Sequence, residues 1–280
     1  MDRWTGIVLA GGEAGDDEMV SRLAASLHPV AGRPLVWHNV ALLAQLRPAP
    51  ARIVVLGGDG LSAELFGDLP VPVEVVAPGQ QPSYERDGGG ASGVVALVIS
   101  GAACVSPAAI QTLIGTASGS WLPAAGDRPL AVWVEREALV ELLRRPAPLA
   151  APGDVLTREL ALPVPPGAIV VRTRRDLALA TAGIRDRLVG ALMSAGVTFR
   201  LPETVLVDVD VRVGRDTVIY PGVVLEGQTT VGDETVIGPG CRIIDSWVGS
   251  GVELKGWNYI SGTSVRNRAI LEPNARRGFD

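Results

Sequence analysis

Apolar and polar positions follow two different periods along this chain. Up to about residue 172, short apolar runs alternate with segments of helical spacing. The runs expected to form buried strands are 6–11, 52–58, 73–78, 95–100, 130–134 and 168–171, and the segments expected to form helices are 34–46, 106–117 and 136–145. Strands that alternate with helices predict an α/β domain with a mostly parallel sheet, covered on both faces, which we place at residues 1–175.

A longer helical pattern follows this domain. Apolar residues recur at positions 177, 180, 184, 188, 191 and 192, and Gly196 supplies a stop signal. We therefore predict a connecting helix within residues 176–198.

From residue 201 the period changes to six. Aliphatic residues recur at 201, 207, 213, 219, 225, 231, 237 and 243. The series slips by one residue to 248, continues at 254 and 260, slips by one residue again to 265, and ends at 271. This period fits neither a helix nor a flat strand, but it is that of a hexapeptide parallel β-helix, in which three repeats close one coil. We predict about four such coils over residues 199–280. A set of ordinary strands is the alternative, which so many near-regular repeats disfavour.

Composition narrows the possible functions. A net charge of −5 and 47 % hydrophobic residues indicate a folded, mildly acidic protein, which argues against non-specific binding to nucleic acid. No apolar run reaches membrane-spanning length and no signal peptide is evident, so we expect a cytoplasmic protein without a membrane partner. Cys104 and Cys241 lack metal or disulfide spacing. Lys255 is the single lysine, and His28 and His38 are the only histidines.

Four stretches of this sequence resemble a known family. They are IVLAGG (7–12), SLHPVAGRPLVWHNV (26–40), RRDLALATAGIRDRLVGALMSAGVTFRLPETV (174–205) and VGRDTVIYPGVVLEGQTTVGDETVIGPGCRIIDSWVGSGVELK (213–255). Together they resemble the bifunctional bacterial enzyme that makes UDP-N-acetylglucosamine, in which an N-acetylglucosamine-1-phosphate uridyltransferase domain is joined to a left-handed β-helix acetyltransferase. The resemblance implies a Rossmann-like nucleotidyltransferase domain, a short left-handed β-helix and a homotrimer formed through that β-helix.

The resemblance also implies a nucleotide loop after the first strand, of which this chain keeps only the first part. The residues that match those expected to approach the base and ribose are Leu9, Ala10, Gly11 and Gly12. Farther along, the loop has two extra residues, Glu18 stands where the family has an arginine, and Ala25 stands where it has a lysine. The cations that would hold a triphosphate are therefore missing from these positions.

Arg22 is the only nearby cation and the one candidate for a catalytic residue, because arginine can bind phosphate. The acidic segment GDDE (15–18) would repel a triphosphate. It admits two interpretations: a rebuilt Mg²⁺ site, or a solvated surface turn, which we favour.

The family's metal site is altered as well. The family holds Mg²⁺ with an aspartate after a strand and an asparagine before the connecting helix, and the corresponding residues here are Ala102 and Arg172. Neither a methyl group nor a guanidinium can ligate Mg²⁺. The resemblance therefore implies no metal site and no cofactor at these positions, with Mg²⁺ required only if an active site has been rebuilt.

Acetyl transfer is not expected. The family's acetyltransferase site uses a histidine base in coils farther along, and no histidine follows His38 in this sequence. His28 lies in a sequence segment that is common in the family, and His38 lies in a predicted amphipathic helix, so we expect neither to be a catalyst.

Three interpretations of function follow. The first is a homologue that has lost catalysis and acts as a trimeric scaffold or regulatory partner, still binding a nucleotide or nucleotide sugar through residues 9–12. A related, active nucleotidyltransferase would be its natural partner. The second is a working sugar-1-phosphate nucleotidyltransferase with a drifted loop, which uses Arg22. The third is a purely structural oligomerisation module.

Overall fold

A computed structural model describes residues 4–11, 19–57, 60–77, 80, 95–124, 128–144, 149 and 161–278. The acidic segment 15–18, with Glu18, and Gly12 lie outside these residues. The chain divides into two compact units, Met1–His28 with Pro34–Ala180 and Pro29–Arg33 with Thr181–Asp280. We call them the α/β unit and the β-helix unit. Our division at residues 175 and 198 stays a prediction.

Over the residues that the structure describes, the α/β unit and the short hairpin after its first 3₁₀ turn contain ten strands. These are β1 (Thr5–Leu9), β2 (Pro29–Val30), β3 (Arg33–Pro34), β4 (Arg52–Leu56), β5 (Val73–Val76), β6 (Val95–Ser100), β7 (Ala103–Cys104), β8 (Trp121–Ala124), β9 (Arg128–Glu135) and β10 (Ile169–Val170). The α-helices are α1 (Leu35–Ala44), α2 (Pro107–Ile114), α3 (Arg136–Leu143) and α4 (Arg174–Ser194), and short 3₁₀ turns lie at Ala25–Leu27 and Ala63–Phe66.

The main sheet has six strands in the order β5-β4-β1-β6-β9-β8. The first four are parallel, with Ile7 of β1 opposite Val54 and Val98. Strand β9 runs antiparallel to both β6 and β8. The mostly parallel sheet is confirmed, but the prediction of a further buried strand over 168–171 was wrong in its placement. Only Ile169–Val170 is extended there, and it pairs antiparallel with β7 outside the main sheet.

The helices of this unit follow from local chemistry and burial. Nine of the ten residues of α1 are buried, which accounts for its apolar sequence on nearly every face. Helix α2 begins where the sequence predicts, because the Ser106 hydroxyl accepts the Ala109 backbone N–H at 3.3 Å and Pro107 occupies the first turn. Within the described residues, no helix is both long enough and apolar enough to span a membrane.

The β-helix unit contains fourteen further strands. They are β11 (Thr198–Phe199), β12 (Leu206–Val207), β13 (Arg212–Val213), β14 (Val218–Ile219), β15 (Val224–Glu226), β16 (Thr230–Val231), β17 (Val236–Ile237), β18 (Arg242–Ile244), β19 (Trp247–Val248), β20 (Glu253–Leu254), β21 (Tyr259–Ser261), β22 (Ser264–Val265), β23 (Ile270–Leu271) and β24 (Arg276–Gly278). They form three parallel sheets, β11-β14-β17-β20-β23, β12-β15-β18-β21-β24 and β13-β16-β19-β22. This is the hexapeptide β-helix that the six-residue period predicts; its left-handed sense stays a prediction.

Each sheet places one aliphatic ladder in the core of the β-helix. In the first sheet, for example, Ile219, Ile237 and Leu254 are fully buried and pair in register with their neighbours above and below. Buried threonines support the corners, since the Thr217 hydroxyl donates to the Gly232 carbonyl at 2.9 Å and the Thr235 hydroxyl donates to Gly249 at 2.9 Å. These bonds satisfy polar groups that the core would otherwise leave without partners.

The two slips in the repeat lie at one corner of the β-helix. From the second sheet to the third, the first two coils advance six positions, from Leu206 to Arg212 and from Val224 to Thr230. The next two coils advance only five, from Arg242 to Trp247 and from Tyr259 to Ser264. We call this the short corner. The strands on either side stay paired in register, so only the turn is one residue shorter.

A hairpin from near the start of the chain completes the β-helix unit. Strands β2 and β3 form a two-stranded sheet whose connecting residue Ala31 accepts the Val209 backbone N–H at 3.1 Å. Arg33 adds a salt bridge to Asp210. These contacts place Pro29–Arg33 with the first coil rather than with the α/β unit.

Candidate functional site

The residues that match the family's base- and ribose-binding segment lie at the carboxyl end of the central strand. Leu9 and Ala10 are buried, and Gly11 is partly exposed. The Ala10 N–H donates to the Leu56 carbonyl at 2.8 Å, and the Gly101 N–H donates to the Leu9 carbonyl at 2.7 Å. The segment is therefore held between the ends of both neighbouring strands, where ligands bind in open α/β sheets.

Two glycines permit this close approach of three chain segments. A Cβ on Gly57, whose φ is +79°, would lie 2.8 Å from the Gly11 nitrogen. A Cβ on Gly101 would lie 2.6 Å from the Leu9 carbonyl oxygen. Side chains at either position would collide with the backbone, so glycine is required for the floor of this site.

The turn that follows the undescribed acidic segment is anchored to the same strand end. The Ser26 hydroxyl donates to the Ala10 carbonyl at 2.7 Å. Ala25, which the resemblance places at the family's lysine position, is only 1 % exposed, so the residue contributes a packed methyl group. Arg22 is exposed.

The structure brings the two predicted metal positions next to each other. Strands β7 and β10 pair antiparallel, with Cys104 opposite Ile169. The ladder continues to the Val171 N–H, which donates to the Ala102 carbonyl at 2.9 Å. The backbone of Arg172, the residue after Val171, is therefore close to Ala102, although 70 positions separate the two residues in the sequence.

The groups at these positions do not fit a divalent cation. The Ala102 methyl offers no ligand, and Arg172 is a cation whose backbone N–H donates to the Asp176 carboxylate at 3.2 Å. That carboxylate also accepts the Thr173 N–H at 3.0 Å and the Thr173 hydroxyl at 2.9 Å, which makes it part of the start of α4. Among the described residues, no group of three or more His, Cys, Asp or Glu side chains is placed to hold a metal ion.

Sequence reasoning missed the residue that shapes this part of the site. Asn39 of α1 is buried, and its Nδ2 donates to the Gly101 and Ala103 carbonyls at 3.0 Å each. It thereby fixes the turn on either side of Ala102. The signal was present as a single amide inside an otherwise apolar helix, because a buried polar side chain requires partners.

Neither histidine is placed as an obvious catalyst. His28 is buried, with Nδ1 3.4 Å from a guanidinium nitrogen of Arg174. Burial lowers the pKa of His28, and the neighbouring Arg174 charge lowers it further, so the ring is neutral at neutral pH. The half-buried His38 ring meets the Trp37 ring edge to face at 5.4 Å between centroids.

These features define a class of protein: a Rossmann-like α/β unit with a mostly parallel sheet, followed by a hexapeptide β-helix. Residues 210–245 match the family "Bacterial transferase hexapeptide (six repeats)". The C-terminal half is similar to curated proteins named "Bifunctional protein GlmU". The similarity reaches 36 % identity over 115 residues for Alkaliphilus oremlandii, 46 % over 84 residues for Carboxydothermus hydrogenoformans, and 42 % over 87 residues for Geobacillus sp..

These matches cover 39 %, 30 % and 31 % of this chain, and 25 %, 19 % and 19 % of the three relatives. The chain thus matches a quarter or less of each relative's length. Among solved structures, Rv0371c from Mycobacterium tuberculosis gives a TM-score of 0.42 at 20 % identity, covering 63 % of this chain and 97 % of its own. The inositol-1-phosphate CTP transferase from T. maritima gives 0.45 at 12 % identity, covering 66 % and 97 %.

Proposed function

We propose that this protein is a sugar-1-phosphate nucleotidyltransferase homologue that has lost nucleotidyl transfer and acts as a trimeric scaffold or regulatory partner. One observation supports this most. Ala102 and Arg172 stand where the resemblance implies the two metal ligands, the Val171–Ala102 hydrogen bond brings their backbones close, and neither side chain can ligate Mg²⁺. Nucleotidyl transfer needs a divalent cation to neutralise charge between the phosphates, so a site with this pair lacks its main source of catalysis.

The phosphate-binding side of the site supports the same proposal. Ala25 gives a buried methyl group where the family has a lysine, so one of the cations that would face the α-phosphate is missing. The glycine-lined end of β1 is intact, however, with Gly57 and Gly101 leaving the backbone open. A nucleotide or nucleotide sugar could therefore bind through residues 9–12 without reacting.

We propose that the β-helix unit forms the trimer, as the similarity to GlmU proteins and the regular hexapeptide ladder suggest. A related, active nucleotidyltransferase is the partner that such a trimer would suit. We place the protein in the cytoplasm, which the two buried cysteines, neither of them in a disulfide, favour.

The test is pyrophosphate release with Mg²⁺ over a panel of nucleoside triphosphates and sugar 1-phosphates. The GlmU protein of Geobacillus serves as the positive control in the same assay. We expect this protein to release no pyrophosphate above the no-enzyme blank while it remains folded and oligomeric by circular dichroism and sedimentation. Turnover by the wild-type protein would overturn the proposal.

A variant in which both metal ligands are restored provides a second test. The Ala102→Asp, Arg172→Asn double variant restores both ligand types at neighbouring positions. We expect Mn²⁺ together with a nucleoside triphosphate to raise the melting temperature of the double variant, but not that of the wild-type protein or either single variant. The Ala108→Asp variant, with its new carboxylate on exposed α2 surface, controls for non-specific metal binding. An equal response in wild type and double variant would mean that the metal binds elsewhere.

An active enzyme with a drifted loop is the second candidate. The observation that favours it is the exposed Arg22 side chain, which directly follows the loop and is free to reach a phosphate. In that case turnover would appear with Mg²⁺ and fall on Arg22→Ala, whereas Arg47→Ala, a distant surface change, would leave it unchanged. A purely structural module would show neither turnover nor nucleotide-dependent stabilisation.

A further inference from the structure

The outer face of the third β-helix sheet carries an aromatic residue that is out of pattern. Strand pairing places Thr230, Trp247 and Ser264 in register on successive coils, one above the other. The two neighbours are small and hydroxylated, whereas Trp247 is 46 % exposed. Burial does not explain a tryptophan at this position, since an indole ring gains little from a face half open to water.

The tryptophan lies beside the short corner. The second coil makes this turn with Gly227, Gln228 and Thr229, while the next two coils have one residue fewer. An open cavity of ≈ 600 Å³ lies at this position, and its lining includes Gln228 and Trp247. The two repeat slips, the unexpected aromatic and the cavity thus coincide on one face.

Polar groups around the ring are held in fixed positions. The Asp245 Oδ1 accepts the Gln228 backbone N–H at 2.8 Å, which orients the carboxylate in the lining of the cavity. The Ser246 hydroxyl is tied into the turn, donating to the Ile244 carbonyl at 2.7 Å and accepting the Thr263 N–H at 3.2 Å. These bonds organise the rim before any ligand arrives, which reduces the entropy cost of binding.

Gly262 keeps the upper part of the cavity open. It follows β21 at the short corner, one coil above Asp245, and it also lines the cavity. Its φ of +57° suits glycine, and the residue adds no side chain to the lining. The lining therefore combines one flat aromatic face with hydroxyl, amide and carboxylate groups.

We propose that this face, the Trp247 shelf, binds the ring of an uncharged sugar, either free or as part of a glycan. A pyranose presents an apolar C–H face that can stack on the indole and a rim of hydroxyl groups that both donate and accept hydrogen bonds. Gln228, Thr230 and Ser264 supply mixed donors and acceptors, and Asp245 accepts from the ligand's hydroxyls.

Charge excludes the main alternative ligands. Asp245 is the only ionisable residue in the lining, so a phosphate or a nucleotide would meet a carboxylate without a compensating cation. Arg212, which lies in register with Thr230 and Trp247, is two strands away from Trp247, about 10 Å across the sheet. The site is distinct from residues 9–12, and its failure would leave the proposed function untouched.

Saturation-transfer NMR on the full chain tests this proposal. Glucose, mannose and N-acetylglucosamine are the probes, with choline as a cationic competitor for the aromatic ring. The variants are Trp247→Ala, Trp247→Phe and Asp245→Asn. The matched control is Trp257→Ala, because Trp257 is also exposed, at 65 %, on the same unit but does not line the cavity.

We expect transfer to at least one sugar in the wild-type protein and in Trp257→Ala. Loss of stacking should weaken binding about tenfold or more in Trp247→Ala, and Trp247→Phe should restore part of it. Asp245→Asn should weaken binding while the folded spectrum is kept, since an amide oxygen still accepts the Gln228 N–H.

Four results would overturn the proposal. They are no transfer from any sugar to the wild-type protein, sugar binding that survives Trp247→Ala, choline binding in the absence of sugar binding, and a fall in sedimentation coefficient on Trp247→Ala. The last result would assign this face to contact between copies of the chain instead of to a sugar.

Discussion

The Arg33 guanidinium contacts the Asp210 carboxylate through two nitrogens, with Nε and Nη2 both 2.9 Å from Oδ2, and both side chains are more than three-quarters buried. The pair joins a hairpin near the start of the chain to the first coil of the β-helix. Charge-assisted hydrogen bonds with partial burial are stronger than exposed ion pairs.

We therefore expect a coupling of about 1 kcal/mol between Arg33 and Asp210. The measurement is a double-mutant cycle on the free energy of unfolding, using Arg33→Ala, Asp210→Ala and the double variant. The exposed pair Lys255–Glu272, whose side chains also approach to 2.7 Å, is the matched control and should show no coupling above experimental error. Equal coupling in the two pairs would contradict the role given to burial.

Gly32, at the tip of the same hairpin, is expected to tolerate no side chain. Its φ is +80°, and a Cβ would lie 2.8 Å from the Asp208 carboxyl carbon. Gly32→Ala should cost about 3 kcal/mol, from backbone strain and steric overlap together. Gly167→Ala is the control for strain alone, because its φ is +72° with nothing within 4 Å, and should cost about 1 kcal/mol. Thermal and urea denaturation measure both changes.

Gly190 provides a change in the opposite direction. It lies inside α4, and a Cβ there would meet nothing within 4 Å. Because alanine has a much better helix propensity than glycine, Gly190→Ala should stabilise the protein by about 0.5–1 kcal/mol. A destabilisation would mean that this face of α4 is covered in the assembled protein.

Asp208 should make stability depend on pH. Burial raises the pKa of Asp208 above 3.8, and the negative charges of Glu226, Asp210 and Asp245 raise it further. The Gly227 N–H donates to Oδ2 at 2.9 Å and lowers this pKa, but by less than burial raises it. Since the folded state then holds its proton to a higher pH than the unfolded state, this group's contribution to stability falls as pH rises from about 3.8 through the raised pKa.

Asp208→Asn removes that ionisation and can still accept the Gly227 N–H. We expect the variant to be at least as stable as the wild-type protein at pH 7, with a flatter stability profile between pH 4 and 6. The measurement is urea denaturation across that range. A variant less stable at pH 7 than at pH 4, by the same amount as the wild-type protein, would exclude Asp208 as the source.

Asn39 should be a positioning residue for the turn around Ala102. Replacing Asn39 with leucine leaves the buried Gly101 and Ala103 carbonyls without their donor, at a cost of about 2–3 kcal/mol. Gln111→Ala is the matched control, since the exposed Gln111 amide also donates to a backbone carbonyl, that of Arg47 at 2.7 Å, and should cost below about 1 kcal/mol. Hydrogen exchange of the Val171 amide, which donates to Ala102, reports the local effect.

Much of the architecture was predictable because it rests on local periodicity. Alternation of short apolar runs with helical segments located β1, β4 and β6, and the six-residue period located the aliphatic ladders. The one-residue slips were visible in the sequence as well. Their placement at a single corner was not, because it depends on which strands stack, and only the register shows that Trp247 stands beside it.

Long-range contacts explain what the sequence did not reveal. Nothing local distinguishes β9, which pairs antiparallel with β6, from a parallel strand. Likewise, the docking of Ala31 onto Val209 joins residues far apart in the chain. The neighbouring positions of Ala102 and Arg172 were expected only through the resemblance, and the bond from Val171 to Ala102 supplies the physical reason for them.

The hairpin at Pro29–Arg33 also sets the covalent topology of the molecule. The chain leaves the α/β unit after His28, returns to it at Pro34, and leaves again after Ala180. A single proteolytic cut after Ala180 would break the one peptide bond that links residues 181–280 to the rest of the chain, and only noncovalent contacts would then hold that fragment to the hairpin. Release of the complete β-helix unit requires cleavage at three peptide bonds, because a fragment that begins at residue 181 would lack a piece of its own first coil.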